Sequence, residues 1–153
     1  MIRRAEERDI PYLLNLLEQV NLVHHLARPD IFKKATKYNE DELREIIKDD
    51  NKPIFVYDED GAVTGYAFTY YIKHEKDNIL TDIKTLYIDD LCVDSSKRKS
   101  GIGHKLYEYV KGFAKDQGCY NLTLNVWYSN ESALRFYKSL DLEPLKIMME
   151  KIL

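Results

Sequence analysis

Apolar positions in the first third of the chain recur at helical spacing. Ile10, Leu13, Leu14 and Leu17 share one face of a helix that Asp9 can cap, with Pro11 tolerated in its first turn. From Val20 to Lys37 the pattern is irregular, and Pro29 interrupts it. A second helix is predicted from Asn39, with Glu42 as its capping-box partner and Leu43, Ile46 and Ile47 as its apolar face. The period then shortens. Ile54-Phe55-Val56-Tyr57, the turn Asp58-Glu59-Asp60-Gly61 and the run Ala62 to Ile72 read as a hairpin.

His74 to Asn78 is polar and turn-like, and Thr85 to Val93 is a further strand. Ile102, Leu106, Tyr109, Val110 and Phe113 then mark a long helix that Gly118 stops. Leu122, Leu124 and Val126 alternate with Thr123, Asn125 and Trp127, the signature of a strand with two different faces. Asn130 caps a short helix carrying Ala133, Leu134, Tyr137 and Leu140, and Leu145 to Lys151 is predicted as a closing strand. The order of elements predicts an α/β fold of mixed α+β type: one domain over residues 1–153, with a mixed, mostly antiparallel sheet flanked by helices.

Length and charge narrow the function. A chain of 153 residues is enough for one core without a disulfide or metal staple. Its 23 basic and 26 acidic side chains leave a net charge of −3, which argues against nucleic acid as the main partner. No apolar run reaches the roughly 18 residues of a membrane span, and the charged N-terminus is unlike a signal peptide. Cys92 and Cys119 have the spacing of neither a zinc site nor a disulfide framework, so no metal is expected. A cytoplasmic protein with reduced thiols is the expectation.

The chemistry concentrates between Leu91 and Gly103. A strand ends at Val93, a loop containing Lys97-Arg98-Lys99-Ser100-Gly101 follows, and a helix opens at Ile102. Free N–H groups and the positive end of the helix dipole make such a junction a site for a phosphate anion. The pattern G-x-x-x-x-G-K-[ST] is absent. G-x-G-x-x-G fails as well, because Leu106 stands where its third glycine belongs. What remains is R-x-x-G-x-G, Arg98 to Gly103.

This run resembles the pyrophosphate-binding loop of the GNAT family of N-acetyltransferases. A strand with acidic residues precedes it (Ile88-Asp89-Asp90-Leu91-Cys92-Val93). Farther on, Asn130-Glu131-Ser132-Ala133-Leu134-Arg135-Phe136-Tyr137 is similar to the family's N-x-x-A-x-x-F-Y motif. The family commonly has Gly-Phe after that helix. Here Asp141 and Leu142 stand instead, a small stability cost, because Asp tolerates a left-handed stop less well than Gly.

The resemblance implies acetyl-CoA as co-substrate, its diphosphate held by backbone N–H groups of Arg98, Lys99, Ser100, Gly101, Ile102, Gly103 and His104. It implies that the backbone of Leu91, Cys92 and Val93 pairs with the pantetheine arm and steadies the thioester oxygen. Asn130 would touch the same arm, order the loop or simply cap its helix. Tyr137 occupies the family's position for protonating, or hydrogen-bonding, the departing sulfur. Because 12 residues are tyrosines, the motif and not the residue type carries that assignment.

A protonated amine cannot attack, so a base is needed; Asp89 and Asp90 are the candidates. In a regular strand they point to opposite faces, unless a bulge intervenes. The pair resembles the Glu-Asp of polyamine-type members, a hint of a cationic acceptor. His24 and His25 read first as ordinary surface or half-buried histidines, with lining of the acceptor pocket as the alternative, and Trp127 either floors that pocket or caps the core. Cys92 reads better as a small hydrophobe than as a nucleophile. The expected function is direct acetyl transfer to a primary amine of a small molecule or peptide. The competing one is an acyl-CoA-binding sensor without catalysis. An apolar stretch from Ile147 to Leu153 would permit a homodimer.

Overall fold

A computed structural model describes residues 1–153. Its elements are β1 (Ile2–Arg4), α1 (Ile10–Ala27), α2 (Glu40–Lys48), β2 (Ile54–Glu59), β3 (Ala62–Lys73), β4 (Lys84–Val93), α3 (Ile102–Asp116), β5 (Asn121–Leu124) and α4 (Glu131–Ser139). The strands form one sheet in the order β1-β2-β3-β4-β5, antiparallel except where β4 and β5 run parallel.

Local chemistry explains much of this. Asp60 and Gly61 both take left-handed backbone angles, φ 53° and 93°, and so close the β2–β3 turn. At α2, Glu42 N–H donates to Asn39 Oδ1 (2.8 Å) while Asn39 N–H donates to Glu42 Oε1 (3.1 Å), a complete capping box. Asp9 does not cap α1 as expected. Its side chain accepts two bonds from the Arg3 guanidinium (2.8 and 2.9 Å) and one from Glu6 N–H (2.7 Å). Asp9 is only 2% exposed. Although burial opposes it, the Arg3 partnership and the Glu6 N–H hold its carboxyl below the usual range. Arg3 also donates to Asp58 (2.8 Å), which fastens β1 to β2.

The sheet is covered on both faces. Leu13, Leu16 and Leu17 of α1 and Leu43 of α2 pack on Val56, Tyr66, Phe68 and Cys92. On the opposite face, Tyr107, Val110 and Ala114 of α3 meet Phe55, Ala67, Leu86 and Ile88. Tyr107, not Tyr109, is the buried tyrosine of α3; Tyr109 lies at its edge and packs edge-on against Phe55 (5.3 Å).

Two predicted strands differ from the structure. Asn125 to Trp127 leave the ladder, so β5 ends at Leu124, and Leu145 to Lys151 form no strand. No helix is long and apolar enough to cross a membrane.

Candidate active site

The site begins with one extra residue in β4. Asp90 lies opposite Phe68 and Ile88 opposite Thr69, so Asp89 has no partner in the ladder and forms a bulge. The regular alternation of side chains breaks there. Leu86 and Ile88 face α3, whereas Cys92 faces α1 beside Tyr66. Both carboxylates consequently reach the α1–α2 side. Tyr66 donates its hydroxyl to Asp90 Oδ2 (2.7 Å), while Tyr38 Oη (2.8 Å) and Lys37 Nζ (2.9 Å) donate to Asp89.

Asp90 has the environment of a base. Burial pushes its carboxyl up to about 6, and Asp89 pushes the same way, against the Tyr66 hydroxyl, Lys37 and the Leu91 N–H. A carboxylate so tuned is ionised at neutral pH and accepts a proton more readily than an ordinary one.

The same place opens the sheet. β4 pairs with β5 only from Thr85 to Ile88, so beyond the bulge the β5-side edge of Asp89 to Val93 is free for another extended chain. At the end of that edge the chain turns through a short 3₁₀ segment, Ser95–Lys97. Asp94 accepts from Ser96 N–H (2.8 Å) and from Gln19 (3.3 Å), and Ser95 N–H donates to Gln19 Oε1 (3.0 Å), which ties the loop to α1.

Lys99 and Gly101 then take φ 64° and 83°, turning the backbone into α3. None of the N–H groups from Arg98 to His104 bonds to a carbonyl of the chain; the first helical bond is Lys105 N–H to Gly101 O (3.0 Å). These donors, at the positive end of a 15-residue helix, fit a diphosphate. Arg98, Lys99 and Ser100 are exposed.

α4 closes over this loop. A Cβ at Gly103 would meet Phe136 Cζ at 3.3 Å and Val93 Cγ2 at 3.6 Å, so glycine permits the approach of α4. Phe136 stacks edge-on with Tyr137 (5.2 Å). Asn130 caps α4 by accepting from Ala133 N–H (3.2 Å). Asp141 adopts φ 62°, the left-handed stop that the sequence asks of it. Tyr137 is half-buried, and burial raises its hydroxyl far above the ordinary tyrosine range, with Asp90 and Cys92 adding to the effect. Tyr137, Asp90 and Cys92 are thus electrostatic neighbours. The Cys92 thiol, buried against Leu16 O (3.6 Å), is pushed up to about 12 by burial and stays protonated.

On the other side of Asp89 lies a pocket of about 300 Å³ lined by Tyr38, Ile46, Lys52, Phe68, Tyr70 and Asp89. Tyr38 stacks on Phe68 (5.6 Å). His24 stacks on Phe32 (4.9 Å), which meets Trp127 edge-on (5.0 Å), so these three rings form one cluster. Burial, with help from Lys37, holds the His24 imidazole below its usual value. His25 is engaged elsewhere, with Nδ1 at 2.7 Å from Phe32 O.

Every sequence-predicted position from Asp89 to His104, with Asn130 and Tyr137, lies along this edge, loop and overlying helix. Lys37, Tyr38, Tyr66 and Gln19 were missed: each acts across a long sequence separation and belongs to no local motif. No three His, Cys, Asp or Glu side chains come together as a metal site.

A sheet splayed beside a glycine-containing anion loop, with a carboxylate and a tyrosine at the junction, can hold an extended ligand that carries a diphosphate and can move a proton beside it. The sequence profile of the acetyltransferase (GNAT) family matches residues 20–141, and the chain belongs to that family. It is an acyltransferase acting on an amine. It is similar to the thialysine N-ε-acetyltransferase of Bos taurus, 28% identical over 95% of this chain and 85% of the bovine one. A solved tetramutant of the BH1408 protein from Bacillus halodurans superposes with a TM-score of 0.95 at 30% identity, covering 100% of this chain and 99% of that one. An aminoglycoside N-acetyltransferase, AAC(6')-Iy in complex with CoA, shares the fold at a TM-score of 0.74 and 17% identity, over 99% and 98% of the two chains.

Proposed function

We propose that this chain moves acetyl directly from acetyl-CoA to the primary amine of a small cationic molecule, with Asp90 as base, Tyr137 as hydrogen-bond donor to sulfur and Asp89 as the group that recognises the cation. The observation that carries this reading is the bulge, which brings both carboxylates to the α1–α2 side of the sheet, Asp90 against Tyr66 and Asp89 in the wall of the pocket. The relative named for acetylating the ε-nitrogen of thialysine supports an acceptor with a side-chain amine.

Bound acetyl-CoA supplies an acetyl group activated as a thioester. Backbone N–H groups from Arg98 to His104 hold the diphosphate, and the free edge of Leu91 to Val93 holds the arm by strand-like pairing. An N–H of that edge donates to the carbonyl oxygen as negative charge grows there. Asp89 attracts the incoming ammonium, in competition with Lys37. Asp90 takes a proton from the ammonium so that the neutral amine attacks the thioester carbon. As the C–N bond forms and the C–S bond breaks, the nitrogen's remaining excess proton leaves for the departing thiolate. Tyr137 donates to the leaving sulfur. A free thiol titrates at ~8.5 and a tyrosine at ~10, so a hydrogen bond suffices without full transfer. Asn130 orders the start of α4 beside the arm. The reaction takes place in the cytoplasm.

The test is thiol release from acetyl-CoA across polyamines, thialysine and other basic amino acids, aminoglycosides and short peptides, with the amine-free rate subtracted. Turnover confined to cationic amines, with KM raised by Asp89→Asn, is the expected result. Acetyl-CoA binding without turnover on any amine favours a sensor. Failure to bind acetyl-CoA removes the assignment of the loop.

A further inference from the structure

Residues 28–39, which join α1 to α2, form neither helix nor strand, and Lys37 lies near their end. Neither its N–H nor its carbonyl enters a backbone hydrogen bond. Two side-chain contacts hold it instead: Nζ donates to Asp89 Oδ1 at 2.9 Å and stands 5.7 Å from the centre of the Tyr38 ring. Lys73, Lys97 and Lys111 also pair with acids, but the side chains of their partners Glu75, Glu59 and Glu108 are 38% or more exposed. The Asp89 side chain is only 14% exposed, and it forms part of the pocket wall. Lys37 is therefore no ordinary surface partner.

The same ammonium acts on Asp90, where it opposes the rise that burial imposes, and on His24, where it adds to the fall that burial imposes. A primary amine thus stands on the carboxylate that would recognise a cationic acceptor, with the candidate base within its field. Its stem is a flexible chain of four carbons, so Nζ can leave Asp89 while the backbone stays in place. The side chain is 44% exposed and is not locked by packing.

We propose that the chain acetylates its own Lys37 when no other amine is present, an inference that rests on the acetyl transfer proposed above. Asp90 takes a proton from the Lys37 ammonium, and the neutral nitrogen attacks the thioester carbon of acetyl-CoA. The C–N bond forms, the C–S bond breaks, and the nitrogen's remaining excess proton passes to the departing thiolate. The products are an amide at Lys37, the free thiol of CoA and one proton on Asp90, which returns to solvent. The amide carries no charge and no longer holds Asp89. Self-acetylation therefore opens to outside cations the carboxylate that Lys37 occupies.

Protein incubated with acetyl-CoA alone, then digested and mapped by mass spectrometry, tests this, with thiol release across the amine panel measured on the same sample. An acetyl group on Lys37 is expected, formed at a first-order rate independent of protein concentration. Saturation with an amine that the protein turns over should suppress the label, because both amines need the same seat. Asp90→Asn should slow labelling by about 10²-fold or more. Lys37→Arg keeps a cation for Asp89 and should abolish the single equivalent of thiol released without an added amine. Turnover of an added amine with Lys37 unmodified overturns self-acetylation and leaves the transferase reading standing. Labelling that neither Asp90→Asn nor an added amine slows is the unassisted chemistry of an exposed lysine, and overturns it too. So does a rate that rises with protein concentration, since one copy then acetylates another. Neither turnover nor label, on protein that binds acetyl-CoA, overturns both readings.

Discussion

The loop from Arg98 to His104 offers unpaired backbone N–H groups, whereas the pocket beside Asp89 is walled by side chains drawn from β3, β4, α2 and the segments on either side of α2. The first depends on the path of the chain: Lys99 and Gly101 in left-handed conformations, Gly103 bare beneath Phe136. The second depends on the identity of groups far apart in sequence, such as Tyr38 and Asp89. Under the proposed function, one side therefore serves any ligand with a diphosphate, and the other must be rebuilt for each acceptor.

If that division is right, side-chain changes at the junction alter turnover and leave the cofactor's affinity alone. The largest effect belongs to Asp90→Asn, expected to lower kcat by about 10²–10⁴-fold. Stopped-flow titration should show acetyl-CoA binding unchanged. In the native protein the rate should fall as pH drops through about 6, where Asp90 takes up its proton, and this limb should vanish in the variant. Stability runs the other way. A carboxyl whose pKa is raised by folding binds its proton more tightly in the folded state, so its ionisation between about 4 and 6 removes stability. Asp90→Asn keeps an acceptor for Tyr66 and should leave Tm at neutral pH unchanged or higher in calorimetry.

Tyr137→Phe comes next, with kcat down by roughly 10²-fold, the low end for an acid because the thiol is already a good leaving group. A normal rate in single-turnover assays would remove Tyr137 from the chemistry. Asp89→Asn should raise KM for cationic acceptors about tenfold, close to 1.4 kcal/mol, with a smaller change in kcat. Equal losses for neutral and cationic amines would show that Asp89 recognises no charge. The smallest effect is expected of Gly103→Ala. Its new methyl must move Phe136 by a few tenths of an ångström, raising KM for acetyl-CoA roughly two- to threefold while acceptor KM holds. A shift in acceptor KM instead would break the division itself.

The same division governs what was legible before the structure. Elements with local causes are where the pattern puts them: the Asn39 capping box, the Asp60-Gly61 turn, the helix after Gly101, the Asn130 cap. β1 escaped, since three residues carry no period and its attachment to β2 runs through Arg3 to Asp58, 55 positions away. The bulge could be named only as an alternative. Nothing in Ile88-Asp89-Asp90 indicates which residue loses its partner, because that is settled by the register with β3. Lys37 fell in the stretch whose periodicity fails, and it is Asp89 across the fold that gives it a place.

The unpaired position of Asp89 has a consequence for how such an enzyme can change. Removing residue 89 altogether would leave Ile88 facing α3 and Asp90 facing α1, as they do now, with the pleat made regular. The second carboxylate is in this sense an insertion, separable from the strand that bears it. A single codon gained or lost adds or subtracts a charge from the wall of the pocket while the free edge of Leu91 to Val93 keeps its alignment. Diversification of the acceptor could thus proceed by changes in length as readily as by exchange of side chains.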